Sequence, residues 1–493
     1  MATKRTTRGM TLTVPPTSPF AKLAPTWLVT FAEIVGALCQ ATAITCRVLW
    51  PYRVEIGVAL TVLTGYSYAY SLTGSEWWAL ALLALVLALV LAPLLGWTRT
   101  RTWTWGVFLR ARSRRLILAG LKELRTADSS GRLPRIRRVR STAVGERMTL
   151  VCRPGQSAEL LDARVEELRA AAKCRDVRVT RDLNASHKVT VDVVRRDAFA
   201  GGQTIPWADQ DADVLSMWDP VHFGTDEQGQ DVRVSLVERG ILFGSEPGGG
   251  KSSAQQTIFS HAAKSPDAHL LLIDPNRVQA APWRDRALAI AYNDPADALG
   301  VLELVRAEID RRLELLELLP GVNRKITREI ATDHGLPLWV LGIDELAFHT
   351  SVVGTPAQRA AFSVACRDIV ARGRAAGVIP VFATQRPTSD VVPTSLRDLI
   401  SMRCALRTTT AASSDVILGE SWSRRGYSAT DIEITQRGVA WLLAEGQSPR
   451  RIKFAWISDD TIADLSVTTI RHRPNTPSDE VRIPRQRDAS EES

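Results

Sequence analysis

One stretch of this chain has the residue types and spacing to hold a polyphosphate: GILFGSEPGGGKSS, residues 240–253. An apolar run, Ile241 to Phe243, enters a glycine-rich turn, and a helical pattern follows from Ser252. In such a strand–loop–helix, backbone N–H groups wrap phosphate oxygens and the helix N-terminus adds its dipole. The cradle would run through Gly244, Ser245, Glu246, Pro247, Gly248, Gly249 and Gly250 to Lys251, Ser252 and Ser253. Lys251 would reach the β- and γ-phosphates of a nucleotide such as ATP, and the Ser252 hydroxyl would bind Mg2+. The strict pattern GxxxxGK[ST] asks for glycine five places before Gly250, where this chain has Ser245, with Gly244 one place earlier.

Three further apolar runs end in polar residues, as buried parallel strands do when they deliver side chains to a phosphate loop. HLLLIDPN (269–276) ends at Asp274, PLWVLGIDELAFHT (337–350) at Asp344 and Glu345, and VIPVFATQRP (378–387) at Thr384 and Gln385. Asp344 would orient the metal through water and Glu345 would polarise an attacking water. Asp274 rivals Asp344 for the metal; the adjacent Asp-Glu pair favours Asp344. Thr384 and Gln385 would sense the γ-phosphate or hold the water.

Composition narrows what surrounds these segments. The chain has 493 residues, 45% apolar and 23% charged, which suits about three folded units and excludes global disorder. Its six cysteines are scattered without CxxC or metal-ligand spacing and read as buried reduced thiols. The net charge of +9 is uneven: residues 1–150 hold 20 Lys+Arg against 6 Asp+Glu, and the remainder 42 against 47. The densest basic part, Arg99 to Arg147, carries 14 basic and 3 acidic residues. It suits an anionic membrane surface or nucleic acid.

Residues 77–97 run 21 positions without a charge, long enough for a membrane-spanning helix, and 56–75 reads as a second span. Flanking arginines place both ends of this hairpin in the cytoplasm. Trp27 to Cys46, interrupted by Glu33 and Gln40, reads as interfacial. The expected organisation is an N-terminal segment (1–55), two spans (56–97), a basic linker (98–147), a small α+β unit (148–200), an α/β nucleotide-binding unit (201–465) and a polar tail (466–493). Within the small unit, Met148–Cys152, Val177–Val179 and Val189–Val194 read as strands, and Ala158–Ala172 as a helix.

Taken in order, VHFGTDEQGQ, GSEPGGGKSS, LLIDPN, AEIDRRLEL (307–315), VLGIDELA, ARGRAAG (371–377) and FATQRP resemble the FtsK/SpoIIIE family of membrane-anchored DNA-translocating ATPases. The resemblance covers roughly 145–455. It implies a RecA-like motor on the cytoplasmic membrane, a hexameric ring around double-stranded DNA, and a trans-acting arginine, for which Arg372, Arg374 and Arg403 are candidates. A single motor with a two-span anchor, and no winged helix expected after it, is similar to the actinobacterial Tra proteins of conjugative transfer. Chromosome segregation, or protein export as in type VII secretion motors, is the alternative; the latter usually carry several motors, and this chain has one phosphate loop.

Overall fold

The computed structural model describes residues 53–82, 84–85, 98–182, 184–321, 324–444 and 447–474. The chain divides into two compact units, 1–115 and 116–493. In the first, α1 (Arg53–Thr73) carries most of the expected 56–75 span. Thr61, Thr64, Ser67 and Thr73 each donate a hydroxyl to a helix carbonyl four residues back. Among the described residues no helix is long and apolar enough to cross a membrane. These same hydroxyls, with Tyr66, Tyr68 and Tyr70, lower the hydropathy of α1. Most of the expected 77–97 span, the 27–46 segment and the tail beyond 474 lie outside the described residues.

The stretch expected to be a basic linker is folded over much of its length. Helix α2 (Thr98–Glu123) is followed by strands β1 (Arg135–Ser141) and β2 (Gly145–Val151). With β3 (Asp176–Arg181) and β4 (Lys188–Val194) they form an antiparallel sheet in the order β1-β2-β4-β3. The small unit therefore begins well before Met148. Its core is built from Met148, Leu150, Val177, Val189, Val191 and Val193, every second residue of their strands. They pack against Ile117 and Leu121 of α2 and against α3 (Ala158–Asp162) and α4 (Val165–Ala172).

The nucleotide-binding unit is mixed α/β around a central parallel sheet. It contains β5 (Ile205–Pro206), β6 (Val221–Asp226), β7 (Asp231–Val234), β8 (Ile241–Gly244), β9 (Ala268–Ile273), β10 (Ala289–Ala291) and β11 (Leu338–Ile343). It continues with β12 (Val378–Thr384), β13 (Met402–Leu406), β14 (Val439–Leu443) and β15 (Arg450–Trp456). The order is β10-β9-β11-β12-β8-β13-β14-β15-β6-β7, with β5 beside β15. The strands from β10 to β13 are parallel and the rest of that path is antiparallel. Every residue of β8, β9, β11 and β12 is buried, which is why these strands read as unbroken apolar runs.

Helix α5 (Lys251–Ala263) follows the phosphate loop and is buried nearly all round. It packs in one core with Phe243, Phe454, Ile462 and Leu465. The last two belong to α11 (Asp459–Thr468), so the folded unit extends past the expected end at 465. A second core carries α6 (Pro295–Leu318), whose Ile309 packs with Trp339, Phe362 and Ile369. The short helices α7 (Arg328–Asp333), α9 (Thr394–Arg397) and α10 (Ala411–Leu418) and the longer α8 (Pro356–Ala376) complete the set. Arg312, wholly buried on α6, donates to the carbonyls of Ala376 (2.9 Å) and Pro337 (2.7 Å) and to Glu308 (2.5 Å). It thereby ties α8 and the entry to β11 onto α6.

Buried ion pairs join the small unit to the larger one. Arg178 of β3 donates to Glu227 (2.5 and 3.2 Å), and Arg451 of β15 donates to Asp197 (2.8 and 3.0 Å). Burial alone would raise the Asp197 carboxyl, but hydrogen bonds from Arg451, Gln436 and the Phe199 N–H outweigh it and hold the group down to about 2. Because the folded value lies below the unfolded value of about 3.9, the stabilisation is complete above about pH 4 and is lost as pH falls towards 2. Asp197→Asn is therefore expected to lower neutral-pH stability by roughly 3 kcal/mol, since it takes from buried Arg451 the nearer of its two carboxylates and leaves only Glu227 at 3.3 Å. The difference in melting temperature between variant and wild type should shrink between pH 4 and 2. A pH-independent difference would remove Asp197 from this role.

Candidate functional site

The site is assembled at the C-terminal ends of three adjacent strands. Strand β12 lies between β8, which leads into the phosphate loop, and β11, which ends at Asp344-Glu345. This order brings Thr384 and Gln385 between the loop and the acidic pair.

The loop turns through Gly248 and Gly250, whose φ angles of 77° and 101° lie in the left-handed region. At Gly250 a side chain is doubly excluded, because a Cβ would stand 2.3 Å from the Gly438 nitrogen. Ser245, the departure from the strict pattern, is accommodated. It is absent from the positive-φ positions, is fully buried, and its hydroxyl donates to the Glu246 carbonyl at 2.8 Å. Gly249 leaves the room, since a Cβ there would lie 2.3 Å from Ser245 Oγ. The Gly438 N–H donates to the Gly249 carbonyl at 3.0 Å, and Arg407 brackets the loop through the Glu246 carboxylate and the Pro247 carbonyl.

Lys251 is 5% exposed and donates to the Asp344 carbonyl and, at 2.9 Å, to Asp344 Oδ1; Glu345 Oε2 is 3.8 Å away. Glu345 is held from three directions. Thr384 Oγ1 donates to Oε1 at 2.7 Å, the Gln385 N–H to Oε2 at 2.7 Å, and the Ala347 N–H to Oε1 at 3.2 Å. The Thr384 carbonyl in turn accepts from the Ser245 N–H at 3.1 Å, so the end of β12 and the loop form one hydrogen-bonded unit. Asp274, the rival metal ligand, is committed elsewhere. Its Oδ1 accepts from the Asn276 N–H (2.9 Å), and its Oδ2 from those of Gln279 (2.7 Å) and Ala280 (2.9 Å). It shapes the turn after β9.

A cavity of about 410 Å³ opens above the loop. Glu246, Pro247, Gly248, Gly250, Lys251, Ser252, Ser253 and Gln385 line one side; Asp344 and Glu345 lie behind Lys251. The opposite side was not legible as a site in the sequence: Gly202, Thr204 and Ile205 from the connection after the small unit, then Thr435, Arg437, Gly438, Lys453 and Trp456. Trp456 is 52% exposed at the end of a strand otherwise buried through its centre. An indole presented at a cavity mouth is a platform for a nucleobase. We expect Trp456→Ala to weaken ATP and ADP alike by about tenfold, within the ~1–3 kcal/mol typical of base stacking. Titration calorimetry giving equal affinities for variant and wild type would exclude this placement.

The donor set suits a hard cation: the Ser252 hydroxyl on the cavity wall and the Asp344 carboxylate behind Lys251, next to where phosphates would lie. Among the described residues no group of three or more His, Cys, Asp or Glu could hold a metal by itself. Of the three arginines considered for action in trans, Arg372 is engaged within the chain by Asp310 and Asp368. Arg403 is partly buried, and that burial lowers its pKa, with nearby Arg397 adding to the effect. Arg374 is exposed and makes no ion pair among the described residues.

No family model matches the chain. Over 256 residues, half of this chain, it is 30% identical to the DNA translocase FtsK of Treponema pallidum, covering 30% of that protein. Over 245 residues, 46% of this chain, it is 29% identical to Protein Tra of Streptomyces lividans, covering 37% of it. Over this stretch the chain is similar to FtsK and Tra proteins. The chain spans about a third of the length of these relatives. Among solved structures it is similar to the pCW3 conjugation coupling protein TcpA, in its monomer form with ATPγS. That match has 16% identity and a TM-score of 0.49, covering 73% of this chain and 99% of the other. In this FtsK/Tra-like region the loop, the acidic pair and Thr384 with Gln385 form one connected network.

Proposed function

We propose that this protein hydrolyses ATP to drive double-stranded DNA along a RecA-like motor at the cytoplasmic membrane, in conjugative transfer of a plasmid or integrative element. The observation that carries the reading is the network joining Lys251, Asp344, Glu345, Thr384 and Gln385, in a chain similar to FtsK and Tra proteins.

ATP entering the cavity offers Lys251 phosphate oxygens in place of the Asp344 carboxylate. That exchange frees an Asp344 oxygen on the metal side of the site. Glu345, fixed by the Thr384 hydroxyl and the Gln385 amide, orients and polarises the attacking water, and the Gln385 side chain borders the γ-phosphate position. Mg2+, held by Ser252 and through water by Asp344, would neutralise charge developing on the phosphate oxygens when bound with ATP. Because Thr384 and Gln385 contact Glu345 while Thr384 also bonds the loop, loss of the γ-phosphate is felt along β12.

Further parts belong to the same proposal. Residues 56–97 form a membrane hairpin, supported by the uncharged run 77–97 and by the internally satisfied hydroxyls of α1. The motor works as a homo-oligomeric ring, hexameric by analogy with the family, in which Arg374 is the arginine free to reach a neighbouring subunit's nucleotide. The test is ATP turnover by the purified full chain with linear duplex, with single strands of the same length, and with no DNA. Duplex should stimulate turnover at least several-fold and single strands should not. Turnover indifferent to DNA would overturn the reading in favour of another cargo.

A further inference from the structure

The basic stretch that reads as a linker becomes, in the folded chain, an edge strand with a use of its own. Strand β1 lies at the end of its sheet, and Arg135, Arg137, Arg138 and Arg140 are all exposed along it. A bulge between Ile136 and Arg138 breaks the alternation and turns two consecutive arginines outwards. None of the four makes an ion pair among the described residues. The acids close by are already engaged: Asp128 with Arg132 (3.0 Å), Asp192 with Arg147 (2.6 Å) and Glu146 with Arg195 (2.9 Å). Arg140 also stands directly opposite Arg147 across the β1–β2 ladder, a like-charge pairing that costs stability in isolation. The fold therefore maintains a row of uncompensated guanidinium groups on a rigid strand.

We infer that the exposed edge of β1 is a phosphate-backbone contact for duplex DNA, separate from the nucleotide site; this rests on the duplex-motor reading above. The chemistry favours DNA over a lipid surface. Basic elements that insert into a lipid surface combine their charges with apolar side chains that enter the bilayer. Between 116 and 200 the one exposed large apolar side chain among the described residues is Leu160, on α3. The row is entirely arginine, whose planar fork matches phosphate oxygens in pairs and holds register on a backbone. Contacts of this type position the duplex without reading its sequence.

The test removes the four charges together, Arg135, Arg137, Arg138 and Arg140 each to Gln, in the full chain. Binding of a fluorescent duplex is followed across a KCl series with a non-hydrolysable ATP analogue present. Each phosphate contact contributes about 0.9 to the slope of log affinity against log salt. The variant's slope should therefore be shallower by about 2 to 4, with at least tenfold weaker binding at low salt. Its DNA-free ATP turnover should match wild type and report intact folding. An unchanged slope, with wild type binding duplex normally, overturns this inference alone. So does an unchanged DNA slope with lost binding to phosphatidylserine vesicles, or with self-association, which would make the arginines lipid contacts or guards of a free edge. Failure of wild type to bind duplex at all overturns the motor reading as well.

Discussion

Lys251→Ala is expected to abolish ATP turnover, lowering kcat by at least about 10³-fold, because a charge aimed at the transferring phosphoryl group is lost. The structure adds a second consequence. Lys251 is the ion-pair partner of Asp344, and both are nearly fully buried. Truncating the lysine leaves that carboxylate without its counter-charge, so the variant should also melt earlier, by the ~1–3 kcal/mol of an unsatisfied buried group. A double variant, Lys251→Ala with Asp344→Asn, separates the two effects. It should recover much of the melting temperature and none of the turnover. Steady-state hydrolysis and thermal unfolding on the same preparations check both, and wild-type turnover in Lys251→Ala would place the nucleotide elsewhere.

Glu345→Gln should leave nucleotide bound and unhydrolysed, with turnover reduced by roughly 10²- to 10⁴-fold, the range for loss of a positioned base. The substitution is informative because the network can keep its shape. The amide oxygen can still accept from the Gln385 N–H, and the Thr384 hydroxyl can rotate to accept from the new amide nitrogen, so that only the longer Ala347 N–H contact (3.2 Å) is given up. Glu345→Ala would instead strand all three donors and confuse loss of chemistry with loss of structure. Binding of a fluorescent ATP analogue within about threefold of wild type, with hydrolysis gone, is the expected pair of results. Loss of binding would show that Glu345 holds the site together rather than acting on water.

The parts of this site legible in the sequence are those produced by local pattern. A strand buried on both faces is an unbroken apolar run, so its first polar residue marks the C-terminal end, and Asp344, Glu345, Thr384 and Gln385 carry that signal. The same signal cannot separate Asp344 from Asp274, since both end such runs. The difference is that three loop amides close on Asp274 in space. The far wall of the cavity was invisible because Gly202, Arg437 and Trp456 come from segments far apart in sequence and carry no spacing signal. Strand β1 was missed for another reason. Only Ile136 is buried in it and Val139 half-buried, so RIRRVRS has almost no apolar alternation to detect. The ion pairs Arg178–Glu227 and Arg451–Asp197 likewise read as ordinary surface charge until the two units are docked.

In the proposed function, hydrolysis at Lys251 and Glu345 moves the protein along duplex DNA. Displacement of a third strand annealed to a linear duplex tests it most directly, since displacement requires travel. With ATP, the full chain should release the third strand. With a non-hydrolysable analogue, or with Glu345→Gln, the third strand should remain in place. A third strand that stays bound while duplex-stimulated ATP turnover proceeds would contradict the account, leaving a DNA-sensing ATPase that does not translocate.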